Sequence, residues 1–227
     1  MFKGATIVFD LDGTLVDTAP DLTNALNYAL EKHGHRTVEA DLVRQAAGRG
    51  APAMIYEALG LEIGFEHLLG DFLIHYEANI SVESRPFPGA VPVLERLKGA
   101  GARLAICTNK REQLAKRLLD DLEISHHFAA VAGRDTFKVS KPDPGHLIGA
   151  VQASGGDPAR SVMVGDSVVD IEAAASANIP SIMVSFGYAP PEADGVRANA
   201  TIDHFDDLER EAEMLLKRLT DPGPTRS

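Results

Sequence analysis

Two aspartates separated by one residue, Asp10 and Asp12, stand where the apolar run IVF gives way to Gly13 and Thr14. Strand interiors disfavour Asp, and carboxylates this close repel one another, so the pair needs compensating charge. Residues of matching chemistry recur downstream: Thr108, Asn109 and Lys110 after RLAIC, Lys141 in KVSKPDPG, Asp166 after SVMVG, and Asp170 one helical turn further on. Carboxylates without a His/Cys cluster suit a hard cation such as Mg²⁺, whose charge lets crowded aspartates stay ionised. Free backbone N–H groups around Gly13, Thr14 and Asn109, together with Lys141, suit a phosphoryl group. In that setting Asp10 is placed to attack phosphorus with one oxygen while a metal holds the other. Asp12, two residues on, is placed to protonate the leaving oxygen and later to take a proton from water.

The elements that must position these residues are also legible. Apolar runs at 5–10, 103–108, 128–133, 161–166 and 181–186, with a shorter one at 200–203, predict strands. Their nearly unbroken apolar character is that of a parallel sheet covered on both faces. Helical patterns (AVPVLERLKGAG, REQLAKRLLDDL, PGHLIGAVQASG, DIEAAASANI) alternate with them. The predicted fold is therefore α/β, a doubly wound parallel sheet with right-handed crossovers, whose ligands gather beyond the carboxyl ends of the strands.

Between 16 and 84 the alternation fails, and only helical patterns are found. So long a stretch is not a loop in a compact domain. It predicts a helical domain over 16–84 inserted into a core of 1–15 and 85–227, with SRPFPGA as the return linker. The closing TDPGPTRS predicts a frayed tail. Local rivals compete for several polar residues. Thr18-x-x-Asp21 and Ser167-x-x-Asp170 both read as capping boxes, Asn109 reads as a helix cap, and Asp143-Pro144 reads as a helix start.

The chain has 227 residues, 44% of them hydrophobic, ample for a packed core. Its net charge of −11, with scattered cations, disfavours nucleic acid and anionic membrane surfaces as partners. A small anionic phosphate ester remains compatible, since a few local cations suffice to hold it. One cysteine, Cys107, excludes an internal disulfide. With neither a signal-peptide pattern nor an apolar run long enough to span a bilayer, the expectation is a cytoplasmic protein, a monomer or small homo-oligomer.

In DLDGTLVD, CTN, SKPDP and GDSVVD, taken in this order, the chain resembles the haloacid dehalogenase superfamily, and within it the phosphoglycolate phosphatases. The resemblance implies an α/β core with a helical cap inserted after the first motif. It implies Asp10 as a nucleophile forming an aspartyl-phosphate and Asp12 as general acid/base, its backbone carbonyl also facing Mg²⁺. Thr108 would hydrogen-bond the transferring phosphoryl group, and Lys141 would neutralise it and the nucleophile. Asp166 would ligate Mg²⁺ directly, with Asp170 supporting the metal's water or Lys141. The looser match of AGRGAPAMIYEAL to the family's substrate-facing loop makes Arg49 a candidate for a substrate carboxylate, as in 2-phosphoglycolate.

Rivals on the same scaffold are phosphatases for sugar or amino-sugar phosphates and a sugar phosphomutase, which keeps both aspartates. Dehalogenases and phosphonatases lack the second aspartate, which is present here as Asp12. A phospho-aspartate receiver module is disfavoured because its phosphorylated residue follows the third strand and it carries no helical insertion.

Overall fold

The computed structural model describes residues 2–60, 65–188 and 197–220. Strand β1 (Thr6–Phe9) is followed by a two-residue strand, β2 (Val16–Asp17), and by helices α1 (Ala19–Lys32), α2 (Ala40–Ala47), α3 (Ala51–Leu59) and α4 (Glu66–Ala78). A second short strand, β3 (Arg85–Pro86), and helix α5 (Ala90–Gly99) lead into β4 (Arg103–Cys107), α6 (Glu112–Asp121) and β5 (Ala130–Ala132). The chain continues through α7 (Pro144–Ala153), β6 (Ser161–Gly165), α8 (Val168–Ser176), β7 (Ser181–Val184), β8 (Ala200–Ile202) and α9 (Leu208–Thr220). All but the first residue of the closing TDPGPTRS lie outside the described residues.

Six strands form one parallel sheet in the order β5-β4-β1-β6-β7-β8. Successive side chains of a strand face opposite sides, and both sides are buried here. Ile7, Phe9, Leu104, Ile106, Val162 and Val164 join one apolar cluster with α5, α6 and α9. Val8, Ala105, Cys107 and Met163 join a second with Leu147, Ala150 and Ala174 of α7 and α8. Burial on both faces is why these strands read as apolar runs. Cys107 is one of the small residues this packing needs, and burial pushes its thiol up to about 12, far from a reactive thiolate. Among the described residues no helix is long and apolar enough to cross a membrane.

The sheet order matters for function. From β1 the chain runs to β4 and β5 on one side, then crosses back to β6 on the other. The carboxyl end of β1 is thus flanked by the ends of β4 and β6, where a crevice forms in doubly wound sheets. The three motif-bearing strand ends, at Asp10, Thr108 and Asp166, become neighbours by topology.

Helices α1 to α4 pack on one another and share their buried stripe, including Leu22, Leu26, Phe72 and Tyr76, with the first cluster. The expectation that 16–84 holds no strand is corrected at its edges. Val16 and Asp17 pair antiparallel with Pro86 and Arg85, so the outgoing and returning chains form a short ribbon. The capping box at Thr18 is also absent, because its acid is claimed from elsewhere. Asp21 accepts hydrogen bonds from the Glu83 and Ser84 backbone N–H groups and from Ser84 Oγ, at 2.7–3.1 Å. The carboxylate thereby fastens the exit of the helical segment to its entrance.

Candidate active site

Asp10, Asp166 and Asp170 converge at the sheet's carboxyl edge, each offering an oxygen within 4.8 Å of the others, and all three are buried. Lys141 Nζ lies 2.9 Å from Asp10 Oδ1 and 2.6 Å from Asp170 Oδ1, its side chain wholly buried. One ammonium against three carboxylates leaves the cluster short of positive charge. Burial pushes the Asp10 carboxyl from its ordinary 3.8 up to about 8, with Asp170 and Asp166 adding to the rise and Lys141 opposing it. Burial, reinforced by Asp170, likewise lifts Asp166 to about 6. Burial alone would depress Lys141, but Asp10 and Asp170 outweigh it and hold the ammonium above its ordinary value.

A hard divalent cation fits this donor set: each residue of the trio offers a carboxylate oxygen, and the missing charge is positive. Asp166 is held by Thr14 Oγ1 at 3.0 Å and by the Tyr188 backbone N–H at 2.8 Å. Asp170 is more fully engaged, by Lys141 on one oxygen and by the Ser167 N–H and Oγ, at 3.1 and 2.6 Å, on the other. It serves the helix start and the site at once.

The turn after β1 is shaped by Gly13 at φ +81°. A Cβ there would stand 2.5 Å from Asp166 Oδ2 and 2.7 Å from Tyr188 Cδ2, so both conformation and space demand glycine. The expectation that the Gly13 and Thr14 N–H groups are free is corrected. They donate to Val16 O at 3.0 Å and Leu11 O at 3.4 Å, because the chain doubles back into β2 immediately after the turn. Thr14 serves the site through its hydroxyl instead.

Asp12 stands apart from the acidic trio. Its carboxylate accepts from Lys110 Nζ at 2.6 and 2.8 Å and from Thr18 Oγ1 at 2.6 Å. Lys110 lies under the Tyr76 ring of α4, 4.9 Å from its centroid. Burial would push this ammonium down, but Asp12 and Tyr76 outweigh it and raise it. Thr108 closes β4 by donating its N–H to Ala132 O at 2.9 Å, and its Oγ1 accepts from the Lys110 N–H at 3.2 Å.

Asn109 does not cap a helix, since α6 starts three residues later. Its amide donates to Gly48 O and Lys141 O, both at 3.1 Å, tying the helical segment to the core. Arg49 is not brought to the cluster. Exposed at the end of the α2–α3 turn, it pairs with Glu57 at 2.9 Å. A cavity of about 50 Å³ beside Asp12 is lined by Asn109, Lys110, Arg111 and Arg134 from the core, and by Met54, Phe72 and Tyr76 from the helices.

Sequence reasoning assigned no part in the site to Tyr188 or His146, read Thr18 only as a helix cap, and gave Lys110 no partner. Lys110 had a signal, its place directly after Thr108-Asn109. Tyr188 had none: its hydroxyl accepts from the Thr18 and Ala19 N–H groups and donates to Asp17 Oδ1, capping α1 from across the molecule. His146 Nδ1 accepts from the Lys141 N–H at 3.1 Å while Nε2 faces Gly133 O at 3.0 Å, which assigns the proton to Nε2. Burial pushes this imidazole down to about 4, so it holds Lys141 in place as a neutral ring. The Asp143 cap forms as expected, accepting from the Gly145 N–H at 2.8 Å.

The acidic trio yields a metal-dependent stability prediction. In metal-free protein the folded state holds protons on Asp10 and Asp166 that the unfolded chain releases, because both carboxyls are raised above 3.8. This contribution therefore falls as pH rises from about 4 to about 8. A cation binds the ionised form, so its stabilising effect grows over the same window. Mg²⁺ at a hundred times its Kd should add about 2.7 kcal/mol, several degrees in Tm. Melting curves with Mg²⁺ and with chelator at pH 5.5 and 8 test this: equal shifts at both pH values would refute it.

Residues 5–178 match the model of the haloacid dehalogenase-like hydrolases. The chain is 44% identical to a phosphoglycolate phosphatase of Mesorhizobium japonicum, over 93% of this chain and 96% of that protein. It is also 44% identical to one of Caulobacter vibrioides, over 97% and 96%. A crystal structure of a predicted phosphoglycolate phosphatase from Haemophilus somnus superposes with a TM-score of 0.84 at 29% identity, covering 93% of this chain and 98% of that one. With its motifs in order, its acidic trio at one sheet edge and these matches along most of its length, the chain belongs to the haloacid dehalogenase-like hydrolase family.

Proposed function

We propose that this chain, a phosphoric monoester hydrolase by its family and relatives, is a Mg²⁺-dependent phosphatase acting through an aspartyl-phosphate, with 2-phosphoglycolate as substrate. The observation that carries the reading is the buried trio Asp10, Asp166 and Asp170 bridged by Lys141, with the Asp12–Lys110 pair alongside. Residues 1–15 and 85–227 act as the catalytic core and 16–84 as its cap.

Asp10, Asp166 and the Asp12 backbone carbonyl would hold Mg²⁺, with Asp170 supporting it through Lys141. When bound, the ion supplies Lewis-acid charge neutralisation at the phosphoryl oxygens. Asp10 attacks phosphorus as a carboxylate, and the bond to the ester oxygen breaks. Lys141 and the Thr108 hydroxyl meet the phosphoryl oxygens, and Asp12 gives its proton to the departing alkoxide. In the second half Asp12, now a carboxylate, takes a proton from water as the water oxygen attacks phosphorus. The phosphorus–Asp10 bond breaks, releasing phosphate and restoring Asp10. The proton taken from water in one turnover is the one given to the alkoxide in the next. Gly13, Thr14 and Asn109 act by shaping the site, through the turn after β1, the Thr14 hydroxyl and the Asn109 bridge.

Phosphate release from a panel of 2-phosphoglycolate, sugar phosphates, amino-sugar phosphates and nucleotides, with Mg²⁺ and then with chelator, tests the reading. Chelator-sensitive release dominated by 2-phosphoglycolate is expected. Dominance of a sugar phosphate would retain the mechanism and discard the substrate, and absence of release from any ester would discard both.

A further inference from the structure

The cavity beside Asp12 is separate from the acidic trio. Asp10 and Lys141, which flank the phosphorus in the proposed mechanism, do not line it, whereas Asp12, the leaving-group residue, does. Its wall is largely apolar, yet it carries three cations, Lys110, Arg111 and Arg134, against one carboxylate, Asp12. In a chain of net charge −11 this local excess is unusual. Lys110 is committed to Asp12. Among the described residues neither the Arg111 nor the Arg134 side chain has a hydrogen-bond or ion-pair partner.

Of these two, Arg134 is the better placed. Its backbone N–H donates to Lys110 O at 2.9 Å, which anchors it beside the Asp12–Lys110 pair. Its Nη1 reaches the α2–α3 turn, where a Cβ on Gly50 would stand 3.4 Å from it. The guanidinium therefore hangs over the cavity from the core and meets the helical segment across it. Arg134 is exposed, and a planar guanidinium fork with no protein partner at the edge of an apolar-walled space is suited to a carboxylate. Arg49, by contrast, lines no part of the cavity and is paired with Glu57.

We infer that Arg134 is the specificity-determining residue of this site, receiving a carboxylate borne by the leaving alcohol of the phosphate ester. The inference rests on the phosphatase reading but assigns the acid-recognising cation to the core instead of to Arg49. It selects esters whose leaving alcohol bears a carboxylate over esters whose leaving alcohol is an uncharged sugar.

Binding of two non-hydrolysable phosphonates of equal length, 3-phosphonopropionate and propylphosphonate, to the full chain with Mg²⁺ tests it by calorimetry. The pair differs only in a carboxylate. The wild type should prefer 3-phosphonopropionate by roughly 10- to 100-fold, the scale of one charge-assisted contact. Arg134→Met should abolish the preference while changing propylphosphonate affinity less than about twofold, and Arg49→Met should leave the preference intact. No preference in the wild type, a preference that survives Arg134→Met, or one lost only in Arg111→Met or Arg49→Met would overturn the assignment. Because this measurement needs no turnover, it separates from the ester panel, whose failure would remove the phosphatase reading itself.

Discussion

Asp10→Asn is expected to lower phosphate release by on the order of 10⁴- to 10⁶-fold, the range seen when a covalent nucleophile is removed. An amide cannot attack phosphorus, and no other carboxylate of the cluster is free to replace it. Asp170 is bound on both oxygens by Lys141 and Ser167, and Asp166 by Thr14 and Tyr188. The fold should not suffer. Asn keeps the oxygen that accepts from the Leu11 N–H at 2.7 Å and meets Lys141 at 2.9 Å. It also removes a charge whose ionised form is disfavoured by burial up to about pH 8. Metal-free Asp10→Asn should therefore melt no lower than the wild type, with any gain growing as pH rises. Activity assays beside melting curves check both halves. Normal turnover would end the nucleophile assignment, and a large fall in Tm would show that the charge is structural.

Lys141→Met should damage stability and activity together. The side chain is wholly buried and is the only cation bonded to Asp10 or Asp170 among the described residues. Its raised ammonium contributes fully at neutral pH, where it is charged whether folded or unfolded. Removing one partner of a buried ionic group typically costs about 3–5 kcal/mol, since the remaining charges are uncompensated. The penalty should shrink as pH falls and the carboxyls take up protons, the opposite of a simple packing defect, which is insensitive to pH. Turnover should fall by at least roughly 10³-fold, because the phosphoryl charge loses its buried counter-charge. Denaturant unfolding of wild type and variant at pH 5.5 and 8 provides the check. A pH-independent difference would mean that Lys141 does not carry the charge of the cluster.

Much of this organisation is legible without coordinates because it is periodic or local. A parallel sheet buried on both faces imposes apolar runs, and each predicted run contains a strand, with ends within two residues of those observed. A chemical group that must stand at the carboxyl end of such a strand follows the run directly, as Asp10, Thr108 and Asp166 do. The Asp143 cap is settled by residues within two positions of it. These features need no knowledge of what lies across the molecule.

Where several local partners compete with distant ones, only the tertiary structure decides. Thr18 and Asp21 have the spacing of a capping box, yet each finds a buried partner that binds it instead: Asp12 for Thr18, and the returning chain at Glu83 and Ser84 for Asp21. Ser167 and Asp170 keep theirs, because Lys141 needs only one of the two carboxylate oxygens. Lys110 meets Asp12 across 98 residues, and Tyr188 meets Asp166 across 22 and Thr18 across 170. Those meetings depend on β4 and β6 both flanking β1, an order that no single strand's composition encodes. Arg49 carries the same lesson on the surface: it pairs with Glu57 of the following helix, while the arginine that lines the cavity comes from the loop after β5. Sequence determined which chemistry gathers at the sheet edge. Packing decided which charges pair there, because burial in a low-dielectric interior makes an unmatched charge more costly than any local preference.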